Sequence, residues 1–307
     1  MVNQTLNVLD GNLYRVDFKA MGSACEVVIA ANDKEEALRC ISLAIHEVER
    51  IEKKYSRYLS SSLVSKINEG AGSSWVECDD ETESLLNYAN TLYQMSEGLF
   101  DITSGVLRKI WDFKKAVIPK EKEIEAILKF IGWSNVERKN ASIKLPIKGM
   151  EIDFGGFGKE YAVDRAATLL SEQGIEHGFI NLGGDLRIIG PKPDGSPWIM
   201  GIKDPNNNQS LIASIPVSQG ALATSGNYEK FFDVDGKRYC HIISPLTGYP
   251  VDFWKSVSLL APLSINAGTY TTIAMLKESK GLDWIKESKF SYLAIDNQDH
   301  FYQEDLT

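Results

Sequence analysis

The segment IDFGGFGKEYAVDRAATLL, residues 152–170, contains a cluster of glycines followed by a run of apolar residues at helical spacing. We predict a short strand over residues 150–154 and a helix over residues 159–173. Glycine lets the backbone approach a ligand closely, and the free N–H groups at a helix start attract phosphate. The residue order fits neither a Walker loop nor a GxGxxG fingerprint. A phosphate site and a plain strand-to-helix turn are therefore both open for this segment.

Glycine is concentrated around this segment. Of the 24 glycines in the chain, 11 lie between Gly149 and Gly201. A second pair, Gly183-Gly184, follows an apolar run in INLGGDLRIIG, residues 180–190, and taken alone this pattern favours a hairpin or a bulge. Because the two glycine-rich turns lie so close together in sequence, we expect both backbones to line one cleft.

The rest of the chain predicts long helices first and mostly strands later, which is typical of an α+β fold. No Pro- or Ser-rich linker interrupts the chain, so we expect one domain over residues 1–307. A capping-box-like pattern at Asn32 and Glu35 starts the first helix, and Gly98 ends the second. Helices are predicted over 32–54, 81–97, 120–132, 159–173 and 269–277, and strands over 13–30 (two, with a turn at 21–22), 150–154, 178–182, 198–202, 212–217, 221–224, 255–260 and 291–296.

Charge and hydropathy exclude two classes of protein. The chain has 33 basic and 42 acidic residues, a net charge of −9, whereas a general nucleic-acid binder needs a basic face. No apolar stretch approaches the roughly 20 residues that span a bilayer. The N-terminal residues lack the pattern of an export signal. We therefore expect no nucleic acid, no integral membrane segment and a cytoplasmic location for the chain as given, or export if a leader was removed.

Two further stretches carry candidate site residues. His241, in RYCHIISPLTGYP (238–250), follows a predicted strand and precedes a Pro- and Gly-rich turn, a usual place for a general base. A structural role for this histidine is equally open. Phe100-Asp101, in GLFDITSGVL (98–107), follow a helix end; they can stack on and hydrogen-bond a heterocycle, or belong to the core. Asp153 can hold a ligand or form a turn.

Taken in order, these segments resemble the FAD:protein FMN transferase family (flavin transferases, ApbE-like). The resemblance runs through most of the chain and also includes MGSACEVVI (21–29), SRYLSSSLVSKIN (56–68), NLGGDL (181–186) and ATSGNYEKFF (223–232). It implies an ApbE-like α+β fold of two intimately packed α/β subdomains, with the FAD cleft between them.

The resemblance also implies an activity. Such enzymes cleave FAD at its pyrophosphate, release AMP and join FMN to a Thr hydroxyl of a partner flavoprotein, with Mg²⁺ neutralising the phosphates. By resemblance, His241 is the catalytic base or phosphate partner, and Gly156 and Thr271 are metal ligands. The residues implied to contact FAD are Met21, Tyr58, Leu99, Phe100, Asp101, Asp153, Lys159 and Ile243.

One departure from the family leaves the activity open. The family has an Asp-x-x-x-Thr pair near its end, whose side chains bind the metal, whereas this chain reads SINAGTYTTIAML. With Thr271 on the family threonine, the Asp position becomes Ala267, or Asn266 after a slip of one residue. Neither is a carboxylate, and hard divalent cations prefer anionic oxygen ligands. The alternatives are a non-catalytic FAD-binding protein and an FAD pyrophosphatase that releases AMP and FMN.

Overall fold

The computed structural model describes residues 5–9 and 12–304. Residues 1–4, 10, 11 and 305–307 lie outside this range. The two ends of the predicted 1–307 domain therefore lie outside the described residues. Within the described residues, no helix is both long enough and apolar enough to cross a bilayer.

The described residues form seven α-helices and sixteen strands, numbered in chain order. The helices are α1 (Lys34–Tyr55), α2 (Leu63–Glu69), α3 (Asp80–Met95), α4 (Glu121–Leu128), α5 (Gly158–Glu172), α6 (Ser264–Leu276) and α7 (Gly281–Ser288). Short 3₁₀ helices cover Ile102–Lys109, Trp133–Asn135 and Glu278–Lys280. The strands are β1 (Leu6–Val8), β2 (Leu13–Ala20), β3 (Ser23–Ala30), β4 (Val76–Glu77), β5 (Glu137–Lys139), β6 (Ser142–Lys144), β7 (Gly178–Leu182), β8 (Asp185–Gly190), β9 (Trp198–Asp204), β10 (Asn207–Val217), β11 (Gly220–Gly226), β12 (Phe231–Val234), β13 (Lys237–Cys240), β14 (Trp254–Ala261), β15 (Ser291–Asp296) and β16 (Phe301–Glu304).

A large antiparallel sheet organises the molecule and confirms the predicted α+β class. Within the described residues it has nine strands, in the order β1-β2-β3-β7-β8-β11-β14-β15-β16. Helix α5 packs against α1, α6, β7 and β8, and α6 packs against β11 and β14. This sheet therefore brings segments that are far apart in sequence to the start of α5.

Both faces of the sheet are covered. Between the sheet and the helices lies a large apolar core that includes Ile29, Ile41 and Ile273. On the opposite face the β9–β10 hairpin covers a smaller core, in which Trp198 lies edge-on to Phe179 with ring centroids 5.0 Å apart. Burial of apolar surface on both faces stabilises the sheet and fixes the positions of the loops at its ends.

The predicted strand over residues 150–154 is wrong, because this segment leads into α5 without strand pairing in the described structure. The side chain of Asn68 takes the place of a neighbouring strand. It donates to the Ile152 carbonyl at 3.0 Å and accepts from the Ile152 N–H at 2.7 Å. The Asp153 N–H donates to the Ile102 carbonyl at 2.8 Å. The side chain of Asn68 and the carbonyl of Ile102 thus make hydrogen bonds that a neighbouring strand would otherwise make with this segment.

Helix α6 begins earlier than the predicted 269–277, at Ser264. The first two N–H groups, of Ser264 and Ile265, each donate to the Asp164 carboxylate at 2.9 Å. Asp164 belongs to α5, so the cap that satisfies the start of α6 comes from another helix. The start of α1 differs by one residue from the prediction, because Asp33 rather than Asn32 accepts from the Glu36 N–H.

Candidate active site

The glycine-rich turn at the start of α5 is shaped by aromatic packing. A Cβ on Gly156 would lie 2.8 Å from the Phe100 ring, which stacks on Phe157 with ring centroids 6.2 Å apart. The Gly155 N–H donates to the Asp153 carboxylate at 2.9 Å. Phe100 is buried, as its core-packing interpretation predicts. The turn is therefore held by the core beneath it, and Gly155 is exposed at its outer side.

Arg57 joins two of the residues that the resemblance implies for FAD. Its guanidinium forms an ion pair with Asp153 and donates to the Tyr58 hydroxyl at 2.7 Å. The guanidinium carbon lies 4.9 Å from the centroid of the Tyr58 ring. That ring is 79% exposed, which is unusual for an aromatic side chain. An exposed ring fixed by a cation offers a flat surface on which a heterocycle can stack.

Lys159, in the first turn of α5, pairs with Asp185 at the start of β8. The Lys159 Nζ lies 2.7 Å from the Asp185 Oδ2, and the Asp185 side chain is only 6% exposed. Burial raises the pKa of Asp185, while the neighbouring Lys159 ammonium opposes that shift. The pair places one positive charge beside the glycine-rich turn.

The second glycine pair forms the β7–β8 hairpin turn, which confirms that interpretation. Gly183 and Gly184 have φ of 65° and 102°, as two-residue hairpin turns require. A Cβ on Gly183 would lie 2.7 Å from Ser23 Oγ and 3.6 Å from Lys159 Nζ. The neighbouring Met21 begins the β2–β3 connection, and its N–H donates to a carboxylate of α1 at 2.9 Å. This turn and the start of α5 therefore meet at Lys159, and a cleft lined by both turns stays a prediction.

Glu160, next to Lys159, is buried and lacks a hydrogen bond to one of its carboxyl oxygens. Its side chain is 7% exposed overall, and its Oε2 has no hydrogen-bond partner among the described residues. Burial raises the pKa of the Glu160 carboxyl, and the charge of Asp185 adds to this shift. A Cβ on Gly268 of α6 would lie 2.5 Å from the Glu160 Oε1. The carboxylate thus fills the space that a side chain at position 268 would need.

The two threonines of α6 have different surroundings. Thr271 is fully buried, and its hydroxyl donates to the Gly268 carbonyl at 2.9 Å and contacts Ser225 Oγ at 2.9 Å. Thr272 is half-buried, and its hydroxyl lies 3.2 Å from Ser225 Oγ. Ala267 is fully buried in the main core. The side of α6 that reaches Glu160 and keeps a partly accessible hydroxyl is therefore defined by Gly268 and Thr272, which share a helix face.

His241 immediately follows β13, as predicted, at the end of the β12–β13 hairpin. Its backbone N–H donates to the Lys230 carbonyl at 2.9 Å, and its side chain is accessible to solvent. Partial desolvation lowers the pKa of His241, and the positive charges of Lys230 and Lys159 add to this effect. The imidazole is therefore neutral at pH 7, with a ring nitrogen available to accept a proton.

Three other predicted residues have structural surroundings. Asp101 is buried: one oxygen accepts from the Thr103 N–H and hydroxyl, at 2.7 and 2.6 Å, and the other accepts from the Trp133 N–H at 3.0 Å. Leu99 packs at the edge of the main core. Ile243 bridges to Pro250 and packs on a small core of Leu107, Trp111, Ile124 and Phe232. These side chains shape the loops around the cleft, and their contact with FAD stays a prediction.

The loop after His241 is held by Gly248, and this gives a first prediction. Gly248 has φ +73°, its Cβ would lie 2.5 Å from the Ile124 side chain, and its carbonyl accepts from the Trp111 indole at 2.8 Å. We expect Gly248→Ala to lower the free energy of unfolding by about 3 kcal/mol, because steric clash adds to backbone strain. Urea denaturation measures the loss.

The matched control is Gly236→Ala, since Gly236 has φ +77° but open space around its Cβ. That variant should lose only about 1–2 kcal/mol, the cost of the left-handed backbone. Equal losses in both variants would contradict a packed loop beneath His241.

A comparison of the chain with family models matches residues 21–294 to the ApbE family. The chain belongs to the ApbE family. An FAD:protein FMN transferase of Klebsiella pneumoniae (strain 342) is 30% identical over 270 residues, covering 86% of this chain and 82% of that protein. One from Vibrio cholerae is 29% identical over 265 residues, covering 84% and 79%.

Solved structures show the same ApbE fold. The crystal structure of the ApbE protein from Thermotoga maritima matches with a TM-score of 0.86 and 33% identity, covering 95% of this chain and 97% of that one. The flavin transferase ApbE from Vibrio cholerae matches with a TM-score of 0.84 and 26% identity, covering 95% and 96%. The resemblance and the fold predicted from the ordered motifs are thereby confirmed, whereas the division into two subdomains stays a prediction.

Sequence reasoning missed several residues that this ApbE-family chain gathers around the cleft. Arg57 precedes the exposed Tyr58, and Asp185 follows the second glycine pair, so both had a local signal in the sequence. Glu160 follows Lys159 directly, but its position in the sequence does not reveal that it is buried. Thr272 is next to Thr271, and the sequence alone does not decide which of the two is the accessible threonine. Two pairs on α6 have the spacing of the family's Asp-x-x-x-Thr motif: Ala267 with Thr271, and Gly268 with Thr272. Only the packing of α6 against α5 distinguishes them.

Proposed function

We propose that this chain is an FAD:protein FMN transferase, which moves FMN from FAD to a Thr hydroxyl of a partner flavoprotein and releases AMP. The observation that carries the proposal is membership of the ApbE family over residues 21–294, together with relatives that bear this enzyme name. The arrangement of Lys159, the start of α5 and a neutral His241 supports it, because phosphoryl transfer depends on positioning, positive charge and a base.

In the proposed reaction the FAD pyrophosphate lies beside Lys159 and the start of α5, in a cleft also lined by the two glycine-rich turns. The Thr oxygen of the acceptor attacks the phosphorus on the FMN side, and the bond to the AMP oxygen breaks. His241 accepts the proton of the Thr hydroxyl, because its lowered pKa leaves the imidazole neutral. AMP leaves with the electron pair of the broken bond.

We also propose that Mg²⁺ takes part, bound between the protein and the FAD phosphates. Within residues 5–9 and 12–304, no three His, Cys, Asp or Glu side chains come together to hold an ion. The residues nevertheless fit a shared site, because the buried Glu160 oxygen lacks a partner and Glu160 lies against Gly268, one helical turn from Thr272. The Gly156 carbonyl and the Thr271 hydroxyl are the ligands that the resemblance implies. Because Thr271 is fully buried and its hydroxyl donates to the Gly268 carbonyl, we propose the half-buried Thr272 hydroxyl in its place. A divalent cation there would neutralise developing phosphate charge.

The deciding experiment incubates the full chain with FAD, Mg²⁺ and a flavoprotein domain that carries an acceptor Thr. We expect AMP release and a fluorescent covalent adduct in equal amounts, both lost in EDTA. AMP with free FMN and no adduct would identify an FAD pyrophosphatase instead. Tight FAD binding without AMP release, unchanged by EDTA, would identify a non-catalytic FAD-binding protein.

Tyr58 gives a second prediction, on FAD affinity. Because the exposed ring is predicted to stack on FAD, Tyr58→Ala should raise the Kd for FAD by about tenfold, since stacking on a heterocycle contributes about 1–3 kcal/mol. Flavin fluorescence titration measures the Kd. Tyr58→Phe keeps the ring and should bind as the unchanged protein does. An unchanged Kd in the Ala variant would place FAD away from Tyr58.

The acceptor flavoprotein and the cellular location stay predictions from the sequence. The proposal requires only that an acceptor Thr reaches the solvent-accessible side of His241. Absence of nucleic acid among the partners likewise stays a prediction from the acidic charge balance.

A further inference from the structure

Helices α5 and α6 meet at a glycine, and a carboxylate occupies the space that the glycine leaves. A Cβ on Gly268 would lie 2.5, 2.6 and 2.9 Å from the Oε1, Cγ and Cδ of Glu160. Those distances are shorter than any real contact, so no side chain fits at position 268 while Glu160 keeps this rotamer. Position 268 and the Glu160 side chain therefore share one volume beside the cleft.

The charged form of the Glu160 side chain is unfavourable at this buried position unless a cation binds it. Glu160 is only 7% exposed, and its Oε2 has no hydrogen-bond partner among the described residues. Because an unpaired buried carboxylate is costly, burial raises the pKa of Glu160 to about 8, and the charged form needs a cation beside it at pH 7. The nearest cation, Lys159, already contacts Asp185 at 2.7 Å. A buried carboxyl oxygen without a partner is suited to binding a divalent cation that arrives with the substrate, and the cation would displace the proton of Glu160.

The Thr272 hydroxyl, a second oxygen ligand, lies on the same face of α6 as Gly268. Residues Gly268 and Thr272 are one turn apart on α6, and the Thr272 hydroxyl is half-buried beside Ser225. The alternative pair, Ala267 and Thr271, faces inward, because Ala267 and Thr271 are both fully buried. The pair at Asp-x-x-x-Thr spacing that lies beside Glu160 and keeps a half-buried hydroxyl is therefore 268 and 272, with glycine at the acidic position.

We propose that Glu160, reaching from α5 into the space beside Gly268, is the anionic protein ligand of the divalent cation, with the Thr272 hydroxyl as its partner on α6. This inference rests on the proposed function, which supplies the FAD phosphates as the remaining ligands. The carboxylate that α6 lacks is thus provided by the neighbouring helix, and the loss of an acid at 267 or 266 does not imply loss of the cation.

The test is direct binding of Mn²⁺ to the full chain, followed by electron paramagnetic resonance, first with Mn²⁺ alone and then with FAD but no acceptor. Glu160→Gln should weaken Mn²⁺ binding in the presence of FAD by more than about tenfold. Its Tm without metal should not fall at pH 7, since burial raises the pKa of Glu160 to about 8 and an amide resembles the protonated carboxyl in shape and charge. The matched control is Glu172→Gln, an exposed residue of the same helix, which should bind Mn²⁺ as the unchanged protein does.

A swap sharpens the test. Glu160→Gly combined with Gly268→Asp moves the carboxylate from α5 to α6 and should restore Mn²⁺ binding that Glu160→Gly alone loses. Unchanged Mn²⁺ binding in Glu160→Gln, or a folded swap variant that binds no better than Glu160→Gly, would overturn the proposal. Failure of the unchanged protein to bind Mn²⁺ with FAD would overturn it as well. Intact Mn²⁺ binding without FMN transfer would count against the proposed function alone.

Discussion

His241→Ala should lower the rate of FMN transfer by about 10²–10⁴-fold while the Kd for FAD changes little. The expected loss is large because the ring is positioned at the end of β13 and is neutral at pH 7. The Lys159 charge is close enough to His241 to contribute to its lowered pKa. Single-turnover AMP release measures the chemical step, and flavin fluorescence measures the Kd in the same preparation.

The control is His46→Ala, since His46 is an exposed histidine of α1 whose replacement should leave the rate unchanged. The pH profile adds a second check. A base with a lowered pKa keeps its proton-accepting form as the pH falls, so the acidic limb of kcat/KM should lie below the ordinary histidine pKa of about 6.5. Full activity in His241→Ala would remove the base role from this residue.

Lys159→Met should destabilise the fold strongly as well as weaken FAD binding. It removes the partner of Asp185, whose side chain is 6% exposed, and leaves a buried charge uncompensated. Loss of one member of such a pair costs about 3–5 kcal/mol, and the 29% exposure of Lys159 places the expected loss near the lower value. Urea denaturation at pH 7 measures the free energy of unfolding.

Two comparisons identify the cause of that loss. Lys203→Met breaks an exposed pair with Glu229, 3.9 Å apart, and should cost less than about 1 kcal/mol. The double variant Lys159→Met with Asp185→Leu should regain much of the stability, because no buried charge remains. A Lys159→Met variant as stable as Lys203→Met would show that the Asp185 charge is solvated.

The sequence predicts those elements of the fold whose signals are local. Apolar spacing predicts α1 and α5, and alternation with turn residues predicts β2, β3 and β7 to within a residue or two. The strand predicted at 150–154 fails because the side chain of Asn68, from a distant helix, satisfies its backbone. The early start of α6 was missed for the same reason, since its cap is Asp164 of α5.

In the candidate site, too, the residues that the sequence predicts are those with a local signal. His241, Lys159 and the glycine turns stand out because each lies in a local pattern with a chemical meaning. The relation between Glu160 and Gly268 is a contact between two helices 108 positions apart in sequence, and no spacing rule reveals it. The register of the α6 threonines is likewise fixed by packing, because it depends on which side of the helix is buried.

The strand order of the large sheet has a consequence for the synthesis of the protein. β3 pairs with β7, and β11 pairs with β14, so β3 and β11 are each synthesised before one of their partner strands. A nascent chain that has reached α5 therefore leaves the backbone of β3 unpaired along one edge, and long-range pairing of this kind slows folding. Lys159, His241 and Thr272 come together only after α6 has emerged from the ribosome. The proposed FAD site is thus completed late in synthesis, after the β2–β3 hairpin and α5 have been made.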